Sequence, residues 1–423
     1  MSKLKIALSI IASTLVATSS LAMEFQVLGS KATSMGGAGV ATSPSSLAAH
    51  NNPALLAKNK DKFSLHIGGG IGFKDNGAGT AISDLNKLDF SNLSDAANGN
   101  ANNLSVNDIN TLSQARDIVR GMNGTGVQAN PTADVGISIG SFGTGLFITS
   151  DVGGVANIDQ AHTDLIFETS VAGTYLNILT ASTTNLAGYQ ASSLQYAIDN
   201  GMTYVDVVGL AVAEVPLAYG QAFDTGYGSL SVGAALKLMA GKTFYKSIKL
   251  DDNNAFNNLN QSVKNTNTFG VDLGLAYQPA FSDSLTVAIV GKNLNRPSFD
   301  IQGGGKVELE PMVRAGAAYK LGNWVELAMD ADLTENKSVI GRKTRYVGGG
   351  LNLDLSVIEL SAGLMKNMVS ENDTGVIYTA GVATGPKWLH FALSGQMSSK
   401  SGEIDGTSYP KQASVNLAIS SAW

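Results

Sequence analysis

The chain has 423 residues, with 28 Lys and Arg against 34 Asp and Glu, a formal net charge of −6. Such an acidic balance lacks the basic footprint that nucleic acid requires. There is no cysteine, so neither a disulfide framework nor a thiolate metal site is available.

In chain order the first element is "MSKLKIALSIIASTLVATSSLA". Lys3 and Lys5 make a basic start, Ile6 to Val16 an apolar run, and Ser20-Leu21-Ala22 a small-residue cleavage site. This layout predicts a secretory signal peptide over residues 1–22, and the run is too short for a membrane anchor. Its removal takes the basic residues from 28 to 26 against 34 acidic ones, a net charge of −8. The remaining roughly 400 residues would ordinarily split into two or more domains, yet no Pro-rich or charged linker divides them. The most apolar later stretch, Val205 to Gly220, is broken by Asp206, Glu214 and Pro216, which excludes a helical membrane protein.

Residues 23–61 hold "SMGGAGVATSPSSLAAHNNPALLA", dense in small side chains. Gly36, Gly37 and Gly39 suit a phosphate loop, but no strand precedes them and neither G-x-G-x-x-G nor G-K-[ST] completes the site.

From residue 62 the dominant signal has period two. Phe269, Val271, Leu273, Leu275 and Tyr277 alternate with small or polar residues, as do Val325, Leu327, Met329, Ala331 and Leu333. Alternation gives each strand one apolar and one polar or small face. Fourteen strands are predicted, at 62–73, 132–140, 144–157, 203–219, 228–249, 267–278, 284–293, 310–320, 323–334, 342–353, 356–367, 375–383, 387–397 and 411–423. Odd-numbered strands lead into long connections (74–131, 158–202, 250–266, 294–309, 335–341, 368–374, 398–410) and even-numbered ones into short turns. An even count with this asymmetry is the pattern of a bacterial outer-membrane barrel, with long loops outside and turns in the periplasm.

A soluble sandwich also alternates, but the non-apolar face here carries Asp272, Arg314, Lys320, Glu326, Asp330, Asp332 and His390, too many charges for a dry core. Tyr204, Tyr227, Tyr277, Tyr319, Trp324, Tyr346, Tyr378, Trp388 and Trp423 gather near strand ends, as in the aromatic girdles of a membrane barrel. In the last strand Val415, Leu417, Ile419 and Trp423 share a face, and a terminal aromatic there is similar to a barrel-assembly sorting signal. Two long loops look partly helical. Ser105 and Asp108 have capping-box spacing, with Ile109, Leu112, Ile118 and Val119 as an apolar stripe, and 163–200 holds a second such region. Those helices either cover the barrel mouth or only order the loops.

Other motifs fail on context. Gly136-Ile137-Ser138-Ile139-Gly140 matches G-x-S-x-G inside a strand, where no nucleophile elbow forms. Gly241-Lys242-Thr243 lacks the first P-loop glycine, because position 236 is Leu236. His50, His66, His162 and His390 show no metal-ligand spacing, and Asp251, Asp252, Asn253 and Asn254 lack an EF-hand continuation. No cofactor, metal or catalytic residue is indicated.

The Gly-rich segment closing on "NNPALLA", followed by fourteen strands, resembles the FadL superfamily of outer-membrane transporters for hydrophobic compounds. "VDLGLAYQP", "VAIVGKNLNRPSF", "RAGAAYKL" and "LAMDADLT" are similar to its conjugal-transfer TraF-like branch. The resemblance implies an all-β, 14-stranded antiparallel transmembrane β-barrel (62–423) with helical segments in long extracellular loops. It also implies a periplasmic N-terminal plug over 23–61, with Gly36, Gly37, Gly39, Asn52, Pro53 and Ala54 as plug or gate residues. Both termini then lie on the periplasmic side of a Gram-negative outer membrane. The implied partners are membrane lipid, a small hydrophobic molecule and, during insertion, the barrel-assembly machinery, for a monomer that binds no nucleic acid. The rival expectation is a non-transporting interaction or assembly protein associated with secretion or conjugation.

Overall fold

The computed structural model describes residues 23–90, 106–165, 167–168, 175–176, 186–250, 262–302, 304–369, 374–404 and 406–423. The expected signal peptide, Ser105 and the Asp251–Asn254 turn lie outside the described residues.

Fourteen antiparallel strands form one closed barrel. In chain order they are β1 (Phe63–Asp75), β2 (Gly126–Ile139), β3 (Phe142–Asn157), β4 (Tyr204–Thr225), β5 (Gly228–Lys249), β6 (Val263–Pro279) and β7 (Leu285–Lys292). The second half comprises β8 (Met312–Leu321), β9 (Val325–Asp332), β10 (Tyr346–Asp354), β11 (Ile358–Asn367), β12 (Val376–Thr384), β13 (His390–Ser398) and β14 (Gln412–Ala422). Each strand pairs with its sequence neighbour, and β1 closes the ring on β14, with Ile67 opposite Ile419. Local pairing through tight turns needs no crossover, which is why alternation and turn spacing were enough to anticipate the order.

Two expected boundaries move by six residues, and the others by four or fewer. β2 starts at Gly126 rather than 132, because Asn130-Pro131 reads as a turn yet lies within the strand. Pro131 has no N–H to donate, and pairing with β3 breaks between Ala129↔Val152 and Thr132↔Thr149. β4 runs to Thr225 rather than 219, since Gly220 is not a breaker but an inward position on which the N-terminal segment rests.

Outward positions carry an apolar band, including Ile71, Leu217, Leu238, Phe269, Met329, Leu364 and Leu417. That is the surface a bilayer requires of a barrel, which hides its backbone polar groups by closing on itself. Tyr227, Trp324, Trp388 and Trp423 stand exposed at the tight-turn end. Tyr346, expected in a girdle, instead faces the lumen beneath Lys74, whose Nζ lies 5.3 Å from the ring centroid. Lys320 is exposed at the rim and His390 half-buried, so those two are not among the fully buried charges of the interior.

In the long loops, α3 (Ala78–Asn86), α4 (Val106–Gly121), α5 (Leu186–Ser192) and α6 (Leu194–Asp199) form, after α1 (Ser30–Ser34) and α2 (Ser45–Asn51) of the N-terminal segment. Leu112, Ala115 and Val119 of α4 pack with Leu194 and Ile198 of α6 over Ala156 and Val205 at the long-loop end.

Candidate functional site

An eight-stranded barrel is filled by its own side chains, and fourteen strands leave a wider lumen. Here residues 23–61 contact the inward wall on several sides. Glycines at inward positions make the room. A Cβ on Gly233 of β5 would overlap the Pro53 carbonyl carbon, and one on Gly274 of β6 would overlap Asn52. On β10 and β11, a Cβ on Gly350 would lie 2.7 Å from Met35 Cα and one on Gly363 2.6 Å from Gly36 N. Gly36 and Gly37 have φ of 69° and 80°, values that L side chains rarely adopt, and they turn the chain at the end of α1.

Polar contacts fix the register of the segment. Gly39 and Val40 N–H donate to Asp330 Oδ2 at 2.8 and 3.0 Å. Gly36 N–H donates to Thr379 Oγ1 at 3.0 Å, which in turn donates to Ser34 O at 2.6 Å. Ser34 and Ser361 hydroxyls meet at 2.5 Å, and Lys31 Nζ reaches Glu326 Oε2 at 2.5 Å. Asn52 Nδ2 donates to Val40 O at 2.9 Å while its Oδ1 accepts from Ala54 N–H at 3.1 Å. Pro53 therefore opens a 3-10 helix, Pro53–Lys58, where its missing N–H costs nothing.

Beside this segment lies a buried charge network. Lys237, fully buried, faces Pro216 on one neighbouring strand and Gly270 on the other. Neither offers a polar side chain, so the ammonium reaches diagonally to Glu214 at 3.2 Å and Asp272 at 3.1 Å, and donates to Asn293 Oδ1 at 2.8 Å. Lys292 Nζ lies 3.0 Å from His50 Nε2, and His50 Nδ1 lies 3.4 Å from Glu214 Oε2. Burial, and then the Lys292 charge, hold His50 below its usual value of 6.5. Arg314 pairs with Asp332, directly opposite on β9, at 2.7 Å, and sits 4.2 Å from the Phe25 ring centroid. Removing one member of such a buried pair leaves the other charge uncompensated, which is strongly unfavourable.

Toward the long-loop end an apolar cluster builds up inside the lumen around the buried Asp151, which accepts from Val339 N–H at 2.8 Å and Gln128 Nε2 at 2.7 Å. Val155, Val208, Leu210, Val212 and Met239 of the wall pack with Met23 and with loop residues Phe299, Val307, Leu309, Val339 and Ile340. Phe299 fills the space in front of Gly241. These loop residues were not picked out from the sequence; apolar residues inside otherwise polar connections were the signal available.

Of the residues singled out from sequence, Gly36, Gly37, Gly39, Asn52, Pro53 and Ala54 all lie in the contacts just described, spread over two sides of the lumen. Val415, Leu417 and Ile419 face outward, and Trp423, also exposed, lies 5.5 Å from Phe63 between ring centroids. Ser138 is buried one residue before the end of β2, with its hydroxyl 2.7 Å from that of Ser64, and the turn that follows leads into β3 and not into a helix. The four histidines are not brought together. His66 lies 3.1 Å from Asp134, His162 2.9 Å from Asp159 and His390 3.6 Å from Glu359.

Residues 49–332 match the family described as "F plasmid transfer operon, TraF, protein". No curated protein matches the sequence. Among solved structures, the Pseudomonas putida toluene transporter TodX is similar with a TM-score of 0.51 at 11% identity, over 95% of this chain and 99% of that one. The Ralstonia pickettii toluene transporter TbuX gives 0.49 at 11%, over 94% and 98%. A Pseudomonas aeruginosa FadL homologue gives 0.44 at 10%, over 95% and 99%. At such identities the TodX likeness is one of fold.

Proposed function

The chain belongs to the family described as the F plasmid transfer operon TraF protein, and from that premise we propose that it is a FadL-like outer-membrane barrel admitting a small hydrophobic molecule. The observation that carries this reading is the apolar layer inside the lumen at the long-loop end. Barrel lumens that pass water are polar; one lined with Val208, Leu210, Val212 and Met239 favours apolar cargo by roughly 0.8 kcal/mol per methylene transferred from water. The layer is closed by loop residues, which can part without disturbing the barrel.

In this reading the tight turns and both ends of the mature chain face the periplasm, and residues 23–61 act as a plug. Gly36, Gly37 and Gly39 let it turn close to the wall, and Asn52-Pro53-Ala54 seats it in the notch of Gly233 and Gly274. The outward row Val415, Leu417, Ile419 and Trp423 serves recognition by the barrel-assembly machinery, and the barrel works as a monomer in lipid. Support for a toluene-like or fatty-acid-like cargo comes only from the apolar layer and the shared fold.

The test uses the Ser34→Cys, Ser361→Cys pair in a chain that has no other cysteine. Their hydroxyls are close enough for a disulfide. Uptake of a panel of apolar compounds by cells carrying the oxidised barrel should stop, and return on reduction. Normal uptake in both states removes the gate; no barrel-dependent uptake of any compound removes the transport reading. The family description favours a second reading, an interaction protein for conjugation or secretion, and protein partners that co-purify with a barrel inert in uptake would select it.

A further inference from the structure

Gly241-Lys242-Thr243 completes no phosphate loop, and the strand that holds it divides the three residues between two faces. Gly241 backs onto Phe299, and Thr243 donates to Asp300 O at 2.6 Å, both inside the lumen. Lys242, between them, is exposed on the outward wall and shares the parity of Leu236 and Leu238. Lys246, four residues on, has the same parity and is half-buried.

Charge on the outward wall is one-sided. Among the described strand residues with outward parity, the charged ones are Lys242 and Lys246 of β5, Lys366 of β11 and Asp75 of β1. Asp75 is 2% exposed and accepts from Tyr409 at 2.7 Å, so it is not presented to a membrane. The rest are lysines, each in the long-loop half of its strand, in a chain whose net charge is −6. Lys242 stands between Ala211 and Asn265, Lys246 beside Val207, and Lys366 between Val347 and Val376. No carboxylate therefore faces any of them across a strand pair. A lysine on the lipid face is costly at the bilayer midplane and tolerable near the interface. Leu238 and Phe269 form an exposed apolar row below Lys242, and Asn265 and Asn267 stand exposed beside it, so the ammonium lies where the apolar band ends.

We propose that Lys242 and Lys246 on the outward face of β5 bind the headgroup of a bis-phosphorylated glycolipid of the outer leaflet. Four residues of extended strand separate them by about 13 Å, and a disaccharide phosphorylated at both ends offers two anions at a comparable separation. Each ammonium meets one phosphate, Asn265 offers its amide to the same headgroup, and the acyl chains run down over Leu238, Leu236 and Phe269. A phospholipid with a single phosphate engages one lysine at a time. The inference rests on the orientation proposed above, with the long loops outside, and not on what the lumen carries.

Native mass spectrometry of the full barrel, released from detergent with added lipid, tests it. Bis-phosphorylated lipid A should give a saturable one-to-one adduct, with monophosphorylated lipid A weaker by about fivefold and phosphatidylglycerol no stronger than the latter. Lys242→Gln and Lys246→Gln should each weaken the lipid A adduct by about fivefold, the worth of one lysine at an anionic surface. Lys320→Gln, at the opposite rim, should leave it unchanged. All are surface changes, and heat-modifiable migration confirms that each variant is folded. No lipid A adduct, an adduct undiminished in the Lys242→Gln, Lys246→Gln double variant, or phosphatidylglycerol bound as tightly as lipid A overturns the proposal. Orientation is read separately with Lys87→Cys, whose position at the long-loop end is exposed: it should react with a membrane-impermeant maleimide on intact cells. Reaction only after lysis would place the long loops inside and overturn the choice of leaflet, whatever the adducts show.

Discussion

Replacing Asp330 by Ala should release the N-terminal segment locally while leaving the barrel closed. The carboxylate, 4% exposed, accepts the Gly39 and Val40 amides through one oxygen. Its removal leaves two buried donors, each costing about 1–3 kcal/mol, so docking of residues 36–42 weakens by about 2–6 kcal/mol. Water entering the vacated space brings the effect to the low end, about 2 kcal/mol, or roughly thirtyfold in the opening equilibrium. Amide hydrogen exchange reads this directly, because protection of a locally opening segment scales with that equilibrium. The amides of 36–42 should exchange roughly thirtyfold faster, while those of β9 and β10 keep their protection. Asp330→Asn, which retains an acceptor oxygen, should fall between. Exchange of Gly39 and Val40 indistinguishable from wild type would refute the claim that this carboxylate holds the segment.

Gly233→Val places side-chain atoms where the Pro53 carbonyl sits, so Pro53–Lys58 should lift from the wall and become cleavable by protease at Lys58 in a barrel that still migrates as folded. Lys237→Met leaves Glu214 and Asp272 buried without their cation, and should lower barrel stability by about 3–5 kcal/mol in denaturant titrations. His50, flanked by Lys292, Glu214 and Lys237, has a docked pKa below 6.5, so the undocked ring binds protons more readily. Docking is then complete above pH 6.5 and weakens as pH falls below it, by at most about tenfold per unit; exchange in 45–51 corrected for intrinsic rates checks this, and a His50→Gln variant with the same pH dependence would exclude it. Trp423→Ala should reduce the fraction of barrel inserted into membranes, measured by heat-modifiable migration, without altering the N-terminal contacts.

Alternation made the wall legible from sequence, and β5 falls at 228–249 as the pattern predicts. Turn chemistry misled where a turn-like residue served another purpose, at Pro131 within β2 and at Gly220 within β4. The inward charges Asp272, Arg314, Asp330 and Asp332 could be placed on a face, but their partners could not. Lys237 meets Glu214 and Asp272 only through the register of three strands, which period two leaves open. The glycines of the N-terminal segment drew notice, whereas Gly233, Gly274, Gly350 and Gly363 did not. A wall glycine looks like any small inward residue until something is seen resting on it. The same holds for Phe299 and Val339, whose burial depends on how their loops fold back.

The inserted segment and the closing seam of the barrel share one short stretch of chain. The chain passes from Lys58 to β1 within a few residues, and at that point Lys62 and Phe63 N–H donate to Trp423 O while Trp423 N–H donates back to Phe63 O. The bonds that finish the ring thus lie at the stem of the inserted segment. Any movement of residues 23–61 is therefore hinged at the seam between β1 and β14, where the same few residues hold both the segment's stem and the closing pair of strands.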